Sequence, residues 1–187
     1  MADSSPRSNF ILLGMKHSGK TTLGRRLAVR LHARFADLDD ITERIYDPDA
    51  RISCREIYRR RGKDFFGALE AKAAEQLSKS MTRECVVAAL GGGTIENREA
   101  MDALKDSGIK VYLKDDPSVL FERIMRGGLP AFLNDEDPRA AFESLYVRRT
   151  ALFERNADLV VEIDGKDVEE AFGRLLALVE RQPTEGQ

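Results

Sequence analysis

Hydrophobic positions in this chain come in two textures. Short, nearly unbroken apolar runs occur at 10–13, 85–90, 109–113 and 159–163, with a briefer one at Phe35 and Ala36; runs of this length read as buried strands. Between them the apolar residues fall at helical spacing. Leu23, Leu27, Val29 and Leu31 predict a helix to about His32, and Phe65, Phe66, Leu69, Ala73 and Leu77 predict one from about Asp64 to Ser80, with Glu70, Lys72 and Glu75 on its other faces. Ser53 and Glu56 form a capping box that opens a short helix through Ile57 and Tyr58, and Gly62 ends it. Further helices are expected from about Asn97 to Asp106, from Asp116-Pro117 through Arg126, from about Arg139 to Arg155, and from an Asp167 cap to about Arg181.

Strands alternating with helices predict an α/β fold: a five-stranded parallel sheet with right-handed crossovers and helices on both faces. No repeat or linker divides the chain, so 1–187 reads as a single domain with frayed ends at 1–8 and 182–187. Between Gly127 and Pro138 the text GGLPAFLNDEDP cannot continue a regular element, and its length suits a mobile lid over 127–138.

Composition narrows the function classes. Hydrophobic residues make up 42% and charged ones 33%, and the apolar runs are far shorter than a membrane span, so no membrane role is expected. A net charge of −2 supplies none of the basic excess that nucleic-acid binding uses. Cys54 and Cys85 lack metal-ligand spacing, and His17 and His32 are the sole imidazoles, so a reduced, cytoplasmic setting is expected. The opening MADSSPRSN carries an acid and no apolar core, unlike a secretory signal.

Chemistry concentrates first in FILLGMKHSGKTT, residues 10–22. A strand runs into Gly14-x-x-x-x-Gly19-Lys20-Thr21, the glycine-rich phosphate loop. Gly14 and Gly19 permit the turns that aim successive N–H groups at phosphate oxygens, Lys20 adds a charge for the β and γ phosphates, and Thr21 offers a hydroxyl to Mg²⁺. Gly14, Gly19, Lys20, Thr21 and Thr22 are therefore the candidate nucleotide-binding residues, with ATP and Mg²⁺ as cofactors. His17 reads as a loop side chain facing away from the phosphates, and His32 as a solvated or capping residue.

Two more stretches end strands in chemically active text. Phe35-Ala36-Asp37-Leu38-Asp39-Asp40 places three acids where an open parallel sheet binds its ligand. If the chain stays extended through Leu38, Asp37 and Asp39 point the same way, one binding Mg²⁺ directly or through water and the other accepting a proton from a substrate hydroxyl. The alternative is a helix N-cap at Asp39 or Asp40. Gly91-Gly92-Gly93 either lets a substrate lie close against the strand end or makes a tight turn.

The loop GMKHSGKTT, the FADLDD strand end, the helical EIYRRRGKDFFGALE, the ALGGGT strand end and RRTALFERNAD occur in one order and spacing, and over about residues 9 to 180 the chain resembles shikimate kinase. The resemblance implies ATP-dependent phosphorylation of a ring hydroxyl on a small molecule; separately, a monomer is expected. It implies that Lys20 holds the β and γ phosphates, Thr21 ligates Mg²⁺ and Asp37 holds that metal through water. Asp39 matches the acid that contacts the substrate hydroxyls and acts as base, Gly91, Gly92 and Gly93 match the substrate-lining loop, Arg149 matches an arginine for the substrate carboxylate, and Arg123 matches the arginine under the adenine.

Two positions depart from the family pattern. The arginine expected after the aromatic of the Gly-x-x-x-Phe-Arg segment is Gly67, and the lid's Arg-Pro pair reads Leu129-Pro130. Each missing guanidinium removes a charge-assisted hydrogen bond, typically about 1.5–3 kcal/mol. Three readings are open. Arg60, Arg61 or Lys63 reaches the carboxylate and Arg126 serves the phosphates; or the acceptor is a different polyol or cyclitol; or the chain binds nucleotide as a regulatory protein without transfer activity.

Overall fold

In the computed structural model, which describes residues 8–49, 51–126 and 137–182, the apolar runs form one parallel sheet. Its strands are β1 (Phe10–Leu13), β2 (Arg34–Asp37), β3 (Val86–Ala89), β4 (Ile109–Lys114) and β5 (Leu159–Glu162), in spatial order β2-β3-β1-β4-β5. The helices between them are α1 (Lys20–Arg30), α2 (Leu38–Tyr46), α3 (Cys54–Met81), α4 (Arg98–Ala103), α5 (Pro117–Arg126), α6 (Pro138–Asn156) and α7 (Val168–Val179), with a 3₁₀ turn at Thr94–Glu96.

Strand β1 is central because both its faces are apolar. Phe10 and Leu12 turn toward one layer, where Leu23 and Leu27 of α1 and Ala171 and Leu175 of α7 pack. Ile11 and Leu13 turn toward the other, against Ala73 and Leu77 of α3 and Phe142 and Phe153 of α6. Each of these fully buried large side chains contributes about 1.5–3 kcal/mol relative to exposure. The flush pairing of Asp37 with Ala89, and of Leu12 with Ala89, brings the carboxyl ends of β2, β3 and β1 to one rim.

Several local expectations change in the folded chain. Val29 is 78% exposed, and Ala28 takes its place in the apolar stripe of α1. That helix stops at Arg30: His32 has φ 50°, and the Ala33 and His32 amides bond back to Ala28 and Val29, a left-handed C-terminal cap. One expectation holds: Gly62, at φ 80° and ψ 178°, leaves helical geometry where the sequence placed a stop, so α3 is two helices that meet at a kink there. The expected helix over 97–106 is shorter: Asn97 is the N-cap of α4, and the chain leaves helical geometry at Leu104 (φ −99°, ψ 2°). Asp137 caps α6 and Pro138 is its first residue, so the last two positions assigned to the lid belong to a helix. The remainder of the expected lid, 127–136, and most of both termini lie outside the described residues.

Candidate active site

All five strands deliver residues to the same rim, beginning with the loop after β1. Gly14 (φ 148°) could not be another residue, since a Cβ there would stand 2.8 Å from the Leu113 carbonyl oxygen and from Ser18 Oγ. Gly19 opens α1 from the left-handed region, at φ 88°. Lys20 follows, buried, with Nζ donating to the carbonyls of Gly14 and Met15 at 2.9 and 2.7 Å. Burial lowers its pKa to about 8; Asp39 and Asp37 pull it upward, and Arg149 pushes it further down. Ser18 Oγ, buried in the same loop, has no hydrogen-bond partner among the described residues.

At the end of β2, Thr21 Oγ1 donates to Asp37 Oδ2 at 3.0 Å. The other oxygen of Asp37 accepts the Asp39 amide at 3.1 Å and caps α2, which begins at Leu38. The extended course through Leu38 is therefore not adopted, and the cap is neither Asp39 nor Asp40 but Asp37 itself. Both carboxylates remain near Lys20 and near each other. Asp39 reaches the segment after β3: its Oδ1 lies 2.7 Å from where a Cβ on Gly91 would stand. Its pKa is pushed up to about 6, first by burial and then by the Asp37 and Glu70 carboxylates, with Lys20 opposing and Glu43 adding to the rise.

The glycine run makes a tight turn, with the Thr94 amide donating to the Gly91 carbonyl at 3.1 Å, and other parts of the chain also approach it closely. None of the three glycines has a positive φ, so conformation does not require them. A Cβ on Gly91 would meet Asp39, one on Gly92 would lie 2.9 Å from the Lys16 amide nitrogen of the phosphate loop, and one on Gly93 would lie 3.4 Å from Arg149 Nη2. Three consecutive positions thus touch the candidate base, the phosphate loop and the candidate carboxylate arginine. Arg149 comes from α6, with Nε and Nη2 on Glu96 Oε2.

The phosphate loop, α5 and the segment after β5 build the neighbouring cavity, about 660 Å³, lined by His17, Gly19, Thr22, Arg123, Arg126 and Gly165 among others. Arg123 Nη1 donates to Asp115 Oδ2 at 2.7 Å.

Residues Glu70, Glu96 and Asp115 escaped the sequence reading. Glu70, expected on an outer face, is buried: it accepts Thr94 Oγ1 at 2.6 Å and Asn97 Nδ2 at 2.7 Å, fastening α3 to the segment after the glycine run. Its signal was a charge set among Leu69, Ala71, Ala73 and Ala74. Asp115 carried the same signal as Asp37, an acid at a strand end.

The donors suit a magnesium nucleotide. Thr21 and Asp37 supply adjacent hard oxygens, which fit a Mg²⁺ that takes few protein ligands beside the phosphates. Lys20, which satisfies itself on loop carbonyls, and the orphaned Ser18 hydroxyl suit the anion.

A family model for shikimate kinase matches residues 16–180. The chain belongs to the shikimate kinase family. A shikimate kinase of Burkholderia lata is 34% identical over 164 residues, covering 87% of this chain and 84% of the relative, and one of Caldanaerobacter subterraneus is 32% identical over 162 residues, covering 87% and 90%. Among solved structures, the shikimate kinase from Acinetobacter baumannii in complex with shikimate superposes with a TM-score of 0.81 at 27% identity, covering 94% of each chain. A thymidylate kinase from Candida albicans, at 14% identity and a TM-score of 0.62, shares the fold.

Against this shikimate kinase framework the departure at Gly67 stands out. A Cβ there would have Asn97 Nδ2 at 3.9 Å as its nearest neighbour, so the position opens on space. Of the basic residues that could replace the arginine, Arg60 Nε bonds Glu56 at 2.6 Å and the Arg61 guanidinium lies 4.0 Å over the Phe65 ring, while Lys63 is exposed and makes no hydrogen bond or ion pair among the described residues. Leu129 lies outside the described residues.

Proposed function

We propose that this protein phosphorylates shikimate at a ring hydroxyl with MgATP, as a cytoplasmic monomer of one domain whose partner is that small molecule and neither nucleic acid nor membrane. The observation that carries the reading is the glycine run, with Asp39 against Gly91, the phosphate loop against Gly92 and Arg149 against Gly93. An acceptor lying along it meets a base at one end, an arginine for its carboxylate at the other, and the transferring phosphate between them.

Each side chain has a task in this scheme. The phosphate-loop amides and Lys20 hold the β and γ phosphates, and Arg123 lies under the adenine in the cavity shared with Thr22. Thr21 and Asp37 hold Mg²⁺, which neutralises charge on the phosphates when bound. Asp39 accepts the acceptor's hydroxyl proton as that oxygen bonds to the γ phosphorus and the bond to the β,γ-bridging oxygen breaks, releasing ADP. A pKa near 6 leaves Asp39 ionised at neutral pH and close enough to it to exchange the proton. Arg149 and Lys20 supply the positive charge that a loose phosphoryl transition state needs.

A second reading, a different polyol as acceptor, is favoured by the open space at Gly67. One assay separates the readings: ADP formation with MgATP, with and without shikimate, beside neutral polyols and cyclitols and a Lys20→Ala control. Shikimate-dependent ADP at roughly 1–100 per second is the expected result. Turnover of a neutral polyol alone would overturn it in favour of the second reading, and nucleotide binding without turnover of any acceptor would overturn both.

A further inference from the structure

Glu96 is a charged residue of the site to which the family resemblance assigns no role. It ends the 3₁₀ turn directly after the glycine run, and its carboxylate gathers two consecutive arginines of α6. Oε1 accepts Arg148 Nε at 2.8 Å, while Oε2 accepts both Nε and Nη2 of Arg149, at 2.9 and 2.7 Å. Side-chain exposure is 15% for Arg149 and 58% for Arg148, so the sheltered member of the pair is the one beside the glycines. Burial alone would raise the Glu96 pKa, but the hydrogen bonds and charge of Arg149, then those of Arg148, bring it below the usual carboxylate range, so the group is an anion at neutral pH.

A guanidinium presents two edges to carboxylates, Nε with Nη2 and Nη1 with Nη2. Glu96 takes the first. Nη1 makes no hydrogen bond among the described residues, and Nη2 lies 3.4 Å from the Cβ position of Gly93. We propose that Glu96 is a positioning residue and selects for an anionic acceptor: it fixes Arg149 by the Nε edge against Gly93, so that the Nη1–Nη2 edge is held ready for the acceptor's carboxylate. The inference rests on the reading of the acceptor as shikimate.

The need for such a device follows from Gly67. With no guanidinium at that position, Arg149 has the carboxylate to itself, and an arginine free to rotate would lose much of its freedom on each binding event. Held in advance, it loses little. Because two arginines share one glutamate, the trio keeps a net positive charge, and the internal carboxylate does not cancel the attraction for an external one.

The test is calorimetric titration of shikimate into the MgADP-saturated wild type, Glu96→Ala and Glu96→Gln, with steady-state kinetics alongside. Glu96→Ala is expected to raise the shikimate Kd and KM by roughly tenfold or more, with MgADP affinity within about twofold and kcat changed less than KM. Glu96→Gln, which preserves an acceptor oxygen and the shape, should fall between and serves if the alanine variant does not fold. A merely structural role would not produce that split. Unchanged shikimate affinity overturns the proposal, and so does tighter binding, which would make Glu96 a competitor for the arginine. If the wild type neither binds nor phosphorylates shikimate, the functional reading has failed instead. The pinning is then read from the Arg149 Nε–H resonance, assigned with Arg149→Lys: slow water exchange in wild type and fast exchange in Glu96→Ala is expected, and equal fast exchange overturns it.

Discussion

Arg123 Nη1 donates to the Asp115 carboxylate at 2.7 Å, and the same nitrogen reaches the His17 carbonyl of the phosphate loop at 3.3 Å. Asp115 also accepts the Gly165 amide at 2.7 Å and the Asp116 amide at 2.9 Å, with its side chain wholly buried. One carboxylate therefore joins the ends of β4 and β5 and orients the candidate adenine arginine.

Replacing Asp115 with alanine should weaken MgADP binding about tenfold and destabilise the fold by about 2 kcal/mol, since hydrogen bonds to a charged group are lost and buried amides go unpaired. Arg123 is 31% exposed and can rehydrate, which limits the loss. Titration with MgADP and urea unfolding check both numbers. Full nucleotide affinity in a folded Asp115→Ala protein would show that Arg123 does not depend on this contact.

Asp39 links activity to pH and to stability. Its folded pKa, about 6 against an ordinary 3.8, means that it binds protons more readily in the folded chain, so its charge costs stability progressively as pH rises from about 4 through about 6. Asp39→Asn should abolish most turnover while raising the melting temperature at pH 7.5, and the gain should vanish near pH 3.5. In the wild type, kcat/KM should rise with pH through about 6 and level off. A profile flat from pH 5 to 8 would remove Asp39 from the role of base.

Lys20 carries the opposite sign. With its pKa lowered to about 8, the folded nucleotide-free protein begins to lose this positive charge above that pH. Bound phosphates favour the protonated form, so MgADP affinity should fall as pH rises through about 8, and binding at pH 8.5 should take up a proton. Calorimetry in buffers of different ionisation enthalpy measures that uptake. Lys20→Ala should remove both the pH dependence and the turnover.

Gly67 and Gly92 should respond oppositely to added side chains. At Gly92 a Cβ meets the Lys16 backbone at 2.9 Å, so Gly92→Ala must displace the phosphate loop and should cut MgADP affinity at least several-fold. At Gly67 there is room, and Gly67→Arg should tighten shikimate binding by about 10-fold or more, equivalent to the roughly 1.5–3 kcal/mol of a charge-assisted hydrogen bond. Unchanged shikimate affinity in a folded Gly67→Arg protein would mean that this position does not face the acceptor's carboxylate.

Much of this was legible before folding. The inner strands β1, β3 and β4 were marked by apolar runs, because a parallel strand covered on both faces must be apolar at successive positions, while the edge strand β2 showed only Phe35 and Ala36. The phosphate loop was marked by glycines at set spacing, because the backbone conformations at Gly14 and Gly19 exclude most other residues. Helix ends proved less legible: α1 stops early and Val29 faces solvent, since packing rather than local preference decides which residues of a stripe are covered.

What the sequence determined by itself is the alternating α/β order, the phosphate loop, and the presence of acids and glycines at strand ends, all written in contiguous residues with local physical causes. What only tertiary structure decided is which of them meet. Glycines 91 and 92 are needed because Asp39 and Lys16, distant in the chain, crowd against them, while Arg149 stands in ordinary contact with Gly93. Glu70, Glu96 and Asp115 became part of the site because partners 24, 53 and 8 residues away satisfy their charges or hydrogen bonds. Close approach and charge pairing act through space, at distances of 2.6–2.9 Å in these contacts, and one-dimensional spacing carries no record of them.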